Sequence, residues 1–192
     1  MKKKYFLTIS MIVLCAIAFP NANAKPSVND KENVRLFVQQ FYDWYTVLYA
    51  RDMSLQKNPT PADLIALKQK RQYFDASLRN AILEDNRAQA KVTDEITGLD
   101  FDPFLNTQDT GFAYQTGNVK QVGNKFYVDI HSDQAGKSRQ AILKSEVAVI
   151  AEVIKVDTYW IFTNFIYPSK DGKSDLITIL KKLQKDRSIN AK

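Results

Sequence analysis

Residues 99–109, reading LDFDPFLNTQD, divide the chain into two parts with different hydrophobic periods, and that division limits the fold more than any other feature. Before it, apolar residues recur every three or four positions, as on the buried stripe of a helix. Beyond it they alternate, as on a strand with one face covered. Helices and strands segregated in this way predict an α+β domain, with helices laid across one face of a curved four-stranded antiparallel sheet.

In the helical part, Val34, Phe37, Phe41, Trp44 or Tyr45, and Leu48 predict a helix over 31–50 with Asp30 as its N-cap. Phe37, Phe41, Tyr42, Trp44, Tyr45 and Tyr49 are too many rings for one direction. Some of Tyr42, Tyr45 and Tyr49 therefore turn their hydroxyls toward a polar partner or a cavity. Residues 51–59 read as a polar connection, and Thr60-Pro61 as an N-cap followed by proline at the first helical position. The next helical region runs over 61–89. Leu64, Leu67, Arg71, Phe74, Leu78 and Ile82 share its face, and a break at 73–76 fits the pattern although no Gly or Pro marks it.

The periodicity lapses over 91–98. Asp102-Pro103 then repeats the grammar of Thr60-Pro61 and predicts one helical turn over 103–107 capped by the Asp102 carboxylate. Strands over 118–122 and 125–132 flank Gly123-Asn124, a two-residue hairpin signal. Counting outward sets Val119 opposite Val128, with Phe126 and Ile130 on the same face and Tyr127, Asp129 and His131 on the other. A second hairpin joins 140–156 to 159–167 across Asp157-Thr158. Its register places Lys155 opposite Trp160, Val153 opposite Phe162, Ala151 opposite Asn164 and Val149 opposite Ile166. The run 147–154 is apolar on both alternating faces except for Glu152, which predicts a central strand covered on each side. Residues 168–174 break the strand, and Leu176, Ile179, Leu180 and Leu183 predict a short closing helix.

The amino terminus has Lys2, Lys3 and Lys4, an apolar run over 5–19 and then Ala22-Asn23-Ala24, the order of a secretory signal peptide cleaved after Ala24. A run of about 15 residues is short for a membrane span. Cys15 follows Ile12-Val13-Leu14, which lacks the small residue of a lipobox, so the expected product is periplasmic or secreted and not a lipoprotein. The expected mature domain, 25–192, has no cysteine and is held by its core alone. Three of the 27 basic residues leave with the signal, and 24 against 21 acidic ones is too even a balance for a nucleic-acid partner.

FYDWY at 41–45, LDFDPFLNTQD at 99–109 and WIFTNFIYP at 160–168 together resemble the YbjP/YqhG-like bacterial envelope proteins, a family built on a domain of unknown function. The resemblance extends over nearly the whole mature chain. It implies the cone-shaped fold of the nuclear-transport-factor-two-like superfamily, or a cystatin-like one, with an open mouth that holds a cavity. Several relatives are lipoproteins, from which this sequence departs. The family carries no established catalytic residues to transfer.

Asp100, Asp102, Asn106 and Asp109 are hard-oxygen groups, but EF-hand spacing fails because Phe104 and Leu105 stand at its fifth and sixth positions and Gly111 at its twelfth. Capping by Asp102, and backbone amides donating to Asp109, are the expected uses, with no metal. A glycosidase pair of Asp102 or Asp109 with Glu152 is not singled out by spacing, and Glu152 faces Thr163 in the predicted register. His131 is the only histidine, so a multi-histidine metal centre is excluded, and no nucleophile elbow, phosphate loop or dinucleotide fingerprint accompanies it. No cofactor is implied.

Three functions fit. The first is a non-enzymatic binding module whose aromatic pocket is lined by Tyr42, Tyr45, Asp102, Gln108, Asp109, Trp160 and Asn164, taking a small molecule. The second is an envelope interaction protein, such as an immunity protein that blocks a toxin. The third is a small cone-fold enzyme using a buried carboxylate. Processing is directly measurable: the intact mass of the protein recovered from the envelope fraction corresponds to a chain beginning at Lys25. A mass that retains the first 24 residues rules the cleaved signal out.

Overall fold

The computed structural model describes residues 28–54, 60–92, 95–170 and 172–190. The signal-peptide reading lies outside these residues. The chain runs α1 (Val28–Ser54), α2 (Ala62–Gln69), a 3-10 turn (Arg71–Tyr73), α3 (Ala76–Gln89), β1 (Phe112–Val122), β2 (Lys125–Gln134), α4 (Arg139–Ile142), β3 (Val147–Val156), β4 (Tyr159–Ser169), β5 (Gly172–Asp175) and α5 (Leu176–Asn190). The strands form one antiparallel meander in the order β1-β2-β3-β4-β5, curled but not closed. The α+β class is as expected, with five strands where the sequence predicts four. Among the described residues no helix is long and apolar enough to cross a membrane.

α1 starts earlier than expected, so Asp30 is no N-cap. It lies in the first turn, where its carboxylate accepts from Lys155 Nζ at 2.6 Å. Thr60 does not cap α2 either, because Asp52 Oδ2 accepts the Ala62 N–H at 3.0 Å. The region 61–89 breaks for a tertiary reason. Phe74 turns extended, drives its ring into the core and pairs with Phe162 of β4, while Asp75 donates its N–H to Phe162 O and caps α3 at Ser77 N. Burial of one ring and two new hydrogen bonds outweigh the loss of a helical turn. Arg71 is exposed and makes no ion pair among the described residues.

The first hairpin keeps its predicted register, Val119 opposite Val128. Phe126, Val128 and Ile130 are buried, and Tyr127, Asp129 and His131 face the other side. The second matches prediction from its turn, Lys155 opposite Trp160 and Val153 opposite Phe162, until Thr163 enters as a bulge. Beyond it Glu152 opposes Asn164, Ala151 opposes Phe165 and Ile150 opposes Ile166, correcting the Ala151–Asn164 and Val149–Ile166 pairs. One extra residue reverses the faces of every later position in the strand. The bulge therefore buries Phe162, Phe165 and Tyr167 together and turns Asn164 out of the core.

Three further expectations fail. Residues 139–142 are helical, with Ser138 capping at Ala141 N, so β3 starts only at Val147. Pro168 does not break β4 but pairs with Lys173, and the return strand β5 leads directly into α5. Val149, Ala151 and Val153 are buried in the core, whereas on the other face Ile150 and Ile154 stay partly exposed and Glu152 between them is buried. The predicted two-sided cover of β3 is therefore incomplete.

The edge of β1 is closed by a side chain. Gln39 of α1 donates Nε2–H to Tyr114 O at 3.1 Å, and its Oε1 accepts from Thr116 N at 2.8 Å. The carboxamide thus stands in for the peptide group of a neighbouring strand and blocks edge-to-edge pairing. Replacing Gln39 by alanine is expected to destabilise the domain by about 1–3 kcal/mol, because two edge groups lose their partner. Urea unfolding measures the loss, and a change within error removes this role.

Candidate functional site

The LDFDPFLNTQD stretch forms a closed turn set into the core. Asp102 Oδ1 accepts from both Phe104 N and Leu105 N at 2.9 Å, as the capping grammar predicts. Asn106 N donates to Asp102 O, Asp102 N donates to Thr107 O, and Asn106 closes the turn at φ 54°, a left-handed conformation that Asn tolerates. Phe104, at the tip, is fully buried among Phe41, Tyr45, Phe74 and Phe165.

Five tyrosine hydroxyls converge on this turn. Tyr42 donates to Phe104 O at 2.6 Å, Tyr45 to Asp102 Oδ2 at 2.5 Å and Tyr49 to Thr107 O at 3.5 Å. Tyr114 of β1 donates to Leu105 O at 3.2 Å, and Tyr167 of β4 to Pro103 O at 2.7 Å. Burial raises the pKa of each phenol, so all five remain protonated donors. The expected polar partners of Tyr42, Tyr45 and Tyr49 are therefore this one turn. The rings of Tyr42 and Tyr45 are fully buried in the core, whereas Tyr49 also borders the space beside the turn.

Space lies beside the turn. A cleft of about 540 Å³ opens between the end of α1 (Tyr49, Asp52), the start of α2 (Ala62, Asp63), α3 (Asp85, Asn86, Gln89) and the connection from Ile96 to Pro103, with Gln108 at its side. Its lining contains Asp52, Asp63, Asp85, Asp100 and Asp102 and, among the described residues, no Lys, Arg or His. Asp85 pairs with Arg187 of α5 at 2.6 Å and accepts Leu99 N–H on its other oxygen. Gly98 is required there, since a Cβ would stand 2.8 Å from Asp85 Oδ2. Two of the other acids have uncharged partners: Asp63 accepts from Asn86 Nδ2, and Asp52 from the Ala62 N–H.

Loss of water around Asp102 is the main cause that pushes its pKa up to about 7. The charge of Asp63 adds to this, while the hydrogen bonds from Tyr45, Phe104 N and Leu105 N work against it. Burial likewise raises Asp63. Glu152 goes the opposite way: burial opposes its charge, but Lys125 at 2.8 Å and Thr163 at 2.7 Å outweigh it, so it stays ionised and is no general acid. Among the described residues no group of three or more His, Cys, Asp or Glu is placed to hold a metal.

The predicted site residues come together only in part. Asp102 and Gln108 line the cleft, and Gln108 donates to Asp100 O. Tyr42 and Tyr45 lie behind it with their hydroxyls engaged. Asp109 is exposed, and what ties it down is its own N–H donating to Thr107 Oγ1, in place of the expected backbone amides donating to its carboxylate. Trp160 packs edge-on against Phe126, 5.2 Å away, under the Lys155 ammonium. Asn164 joins β4 to α5, donating to Asp175 Oδ1 and accepting from Phe165 N and Ile177 N. His131 meets Ser145 O at 2.8 Å. Sequence reasoning missed Asp52, Asp63, Asp85, Asn86 and Gln89. Asp85 and Asn86 come three and four positions after Ile82 on an apolar face, and that was the available signal.

No family model, curated protein or solved structure matches the chain.

Folding raises the Asp102 pKa from 3.8 to about 7, so between those values the native state holds more protons than the unfolded one. Stability falls as pH rises through that window and levels off above it. In Asp102→Asn the amide oxygen still accepts both backbone N–H groups and no charge develops. The melting temperature of the variant relative to the native chain is expected to climb from pH 5 to pH 8, and a constant difference rules the linkage out.

Proposed function

We propose that this chain is a non-enzymatic binding module of the bacterial envelope, akin to the YbjP/YqhG-like proteins, and that it takes a cationic ligand in the acidic cleft. One observation carries this: five aspartates line a single concavity with apolar Leu99, Phe101 and Ile96 at its edge and, among the described residues, no basic side chain in the lining. Carboxylates that raise one another's pKa are relieved by an incoming positive charge. A cation with an apolar body matches both parts of the lining. A curled, unclosed antiparallel sheet with helices packed on it supports the cone-like architecture implied by the resemblance. The site differs from an aromatic pocket, because the rings occupy one another.

An enzyme using a buried carboxylate would rest on Asp102, whose pKa of about 7 suits proton transfer. Its oxygens are already engaged by Tyr45, Phe104 N and Leu105 N, a structural use that favours the binding module. An immunity or interaction protein would use the same cleft for a basic protein partner.

Calorimetry with spermidine and with a short Lys-Leu peptide tests the assignment. Binding is expected at low salt and weaker at physiological salt. Asp100→Asn, which removes an exposed charge from the lining, should cost about 0.5–1 kcal/mol of it. If neither probe binds, and a pull-down from the envelope fraction recovers no basic ligand or protein, the cationic assignment fails.

A further inference from the structure

A second cleft lies behind the first, between α3 and α5. We propose that it binds a small carboxylate ligand on the guanidinium of Arg187. This cleft also encloses about 540 Å³, and Glu84, Lys91, Glu95, Thr97, Gln184 and Arg187 are among its lining residues. Arg187 Nη1 donates to Asp85 Oδ1 at 2.6 Å and to Thr97 O at 2.8 Å, which uses both of its hydrogens. The three hydrogens on Nε and Nη2 have no protein partner among the described residues, and the side chain, 21 % exposed, lines the cleft.

The Nε and Nη2 edge offers two parallel N–H groups at the spacing of a carboxylate, the pairing to which a guanidinium is best suited. Asp85, with its side chain only 3 % exposed, anchors the opposite end of the fork. The fork is thus fixed before a ligand arrives, and little side-chain entropy is lost on binding. Lys91 adds a second cation at the exposed rim.

Two glutamates limit the charge of the ligand. Glu84 is occupied by Gln184 Nε2 at 2.8 Å, while Glu95 is exposed at the rim. Both oppose a multiply charged anion, so a singly charged carboxylate fits better than a phosphate dianion. The site does not depend on cation binding in the first cleft. Asp85 and Arg187 stand in the wall between the two, one facing each side.

The test tracks the arginine Nε–H signals of the 15N-labelled chain while sodium acetate, sodium phosphate or sodium chloride is added at matched ionic strength. The Arg187 signal, assigned through its backbone connectivity, is expected to shift saturably with acetate, less with phosphate at equal concentration, and not with chloride. Arg187→Lys keeps a cation beside Asp85 but removes the fork, so the saturable acetate response of the nearby Thr97 and Ser188 amides should vanish. Should that variant not fold, Lys91→Gln is expected to weaken acetate binding several-fold. Absence of a saturable acetate shift overturns the proposal, as does saturation with phosphate alone.

Discussion

Everything in this domain refers to one small polar object in an apolar setting, the 102–107 turn. Its carbonyls and the Asp102 carboxylate need donors where water is scarce, and an unmet buried acceptor costs about 1–3 kcal/mol. Tyrosine supplies such a donor at the end of a large apolar ring. The aromatic residues of α1 therefore do two things at once: their rings build the core around Phe41 and Phe104, and their hydroxyls satisfy the turn. The helix, β1 and β4 are positioned relative to one another because all three reach the same few atoms.

Much of this is legible from residues alone, for local reasons. Asp102-Pro103 caps its turn as predicted because capping involves neighbours three residues apart. Gly123-Asn124 and Asp157-Thr158 set hairpin registers correctly near each turn, since a two-residue loop leaves no slack. The hidden features depend on distant partners. Thr163 looks like any strand residue, and its bulge is required only because Phe162, Phe165 and Tyr167 must all face the helices. Phe74 interrupts a helical pattern without Gly or Pro because the interruption is stabilised by Phe162, far along the chain.

The candidate site is the least legible part. Its acids come from α1, α2, α3 and the connecting stretch, and no short motif joins them. Asn164 and Trp160 read as pocket residues under an unbroken register, and the bulge gives Asn164 a structural task instead. Charge is also divided more sharply than a net charge of +6 implies. Every charged side chain among the described residues that line the inner cleft is acidic, and Arg187 lies just behind its wall, held by Asp85.

The tyrosine contacts have a consequence for the order of folding. Tyr42, Tyr45 and Tyr49 lie 57 to 62 positions from their acceptors, and Tyr167 lies 64 positions away on the other side. Each contact closes a long loop, whose entropy must be lost before the bond contributes. The two hairpins and α1 are local and rapid to form by comparison. The turn at the centre of the native structure is therefore a late arrival, seated only once elements from both ends of the chain have met around it.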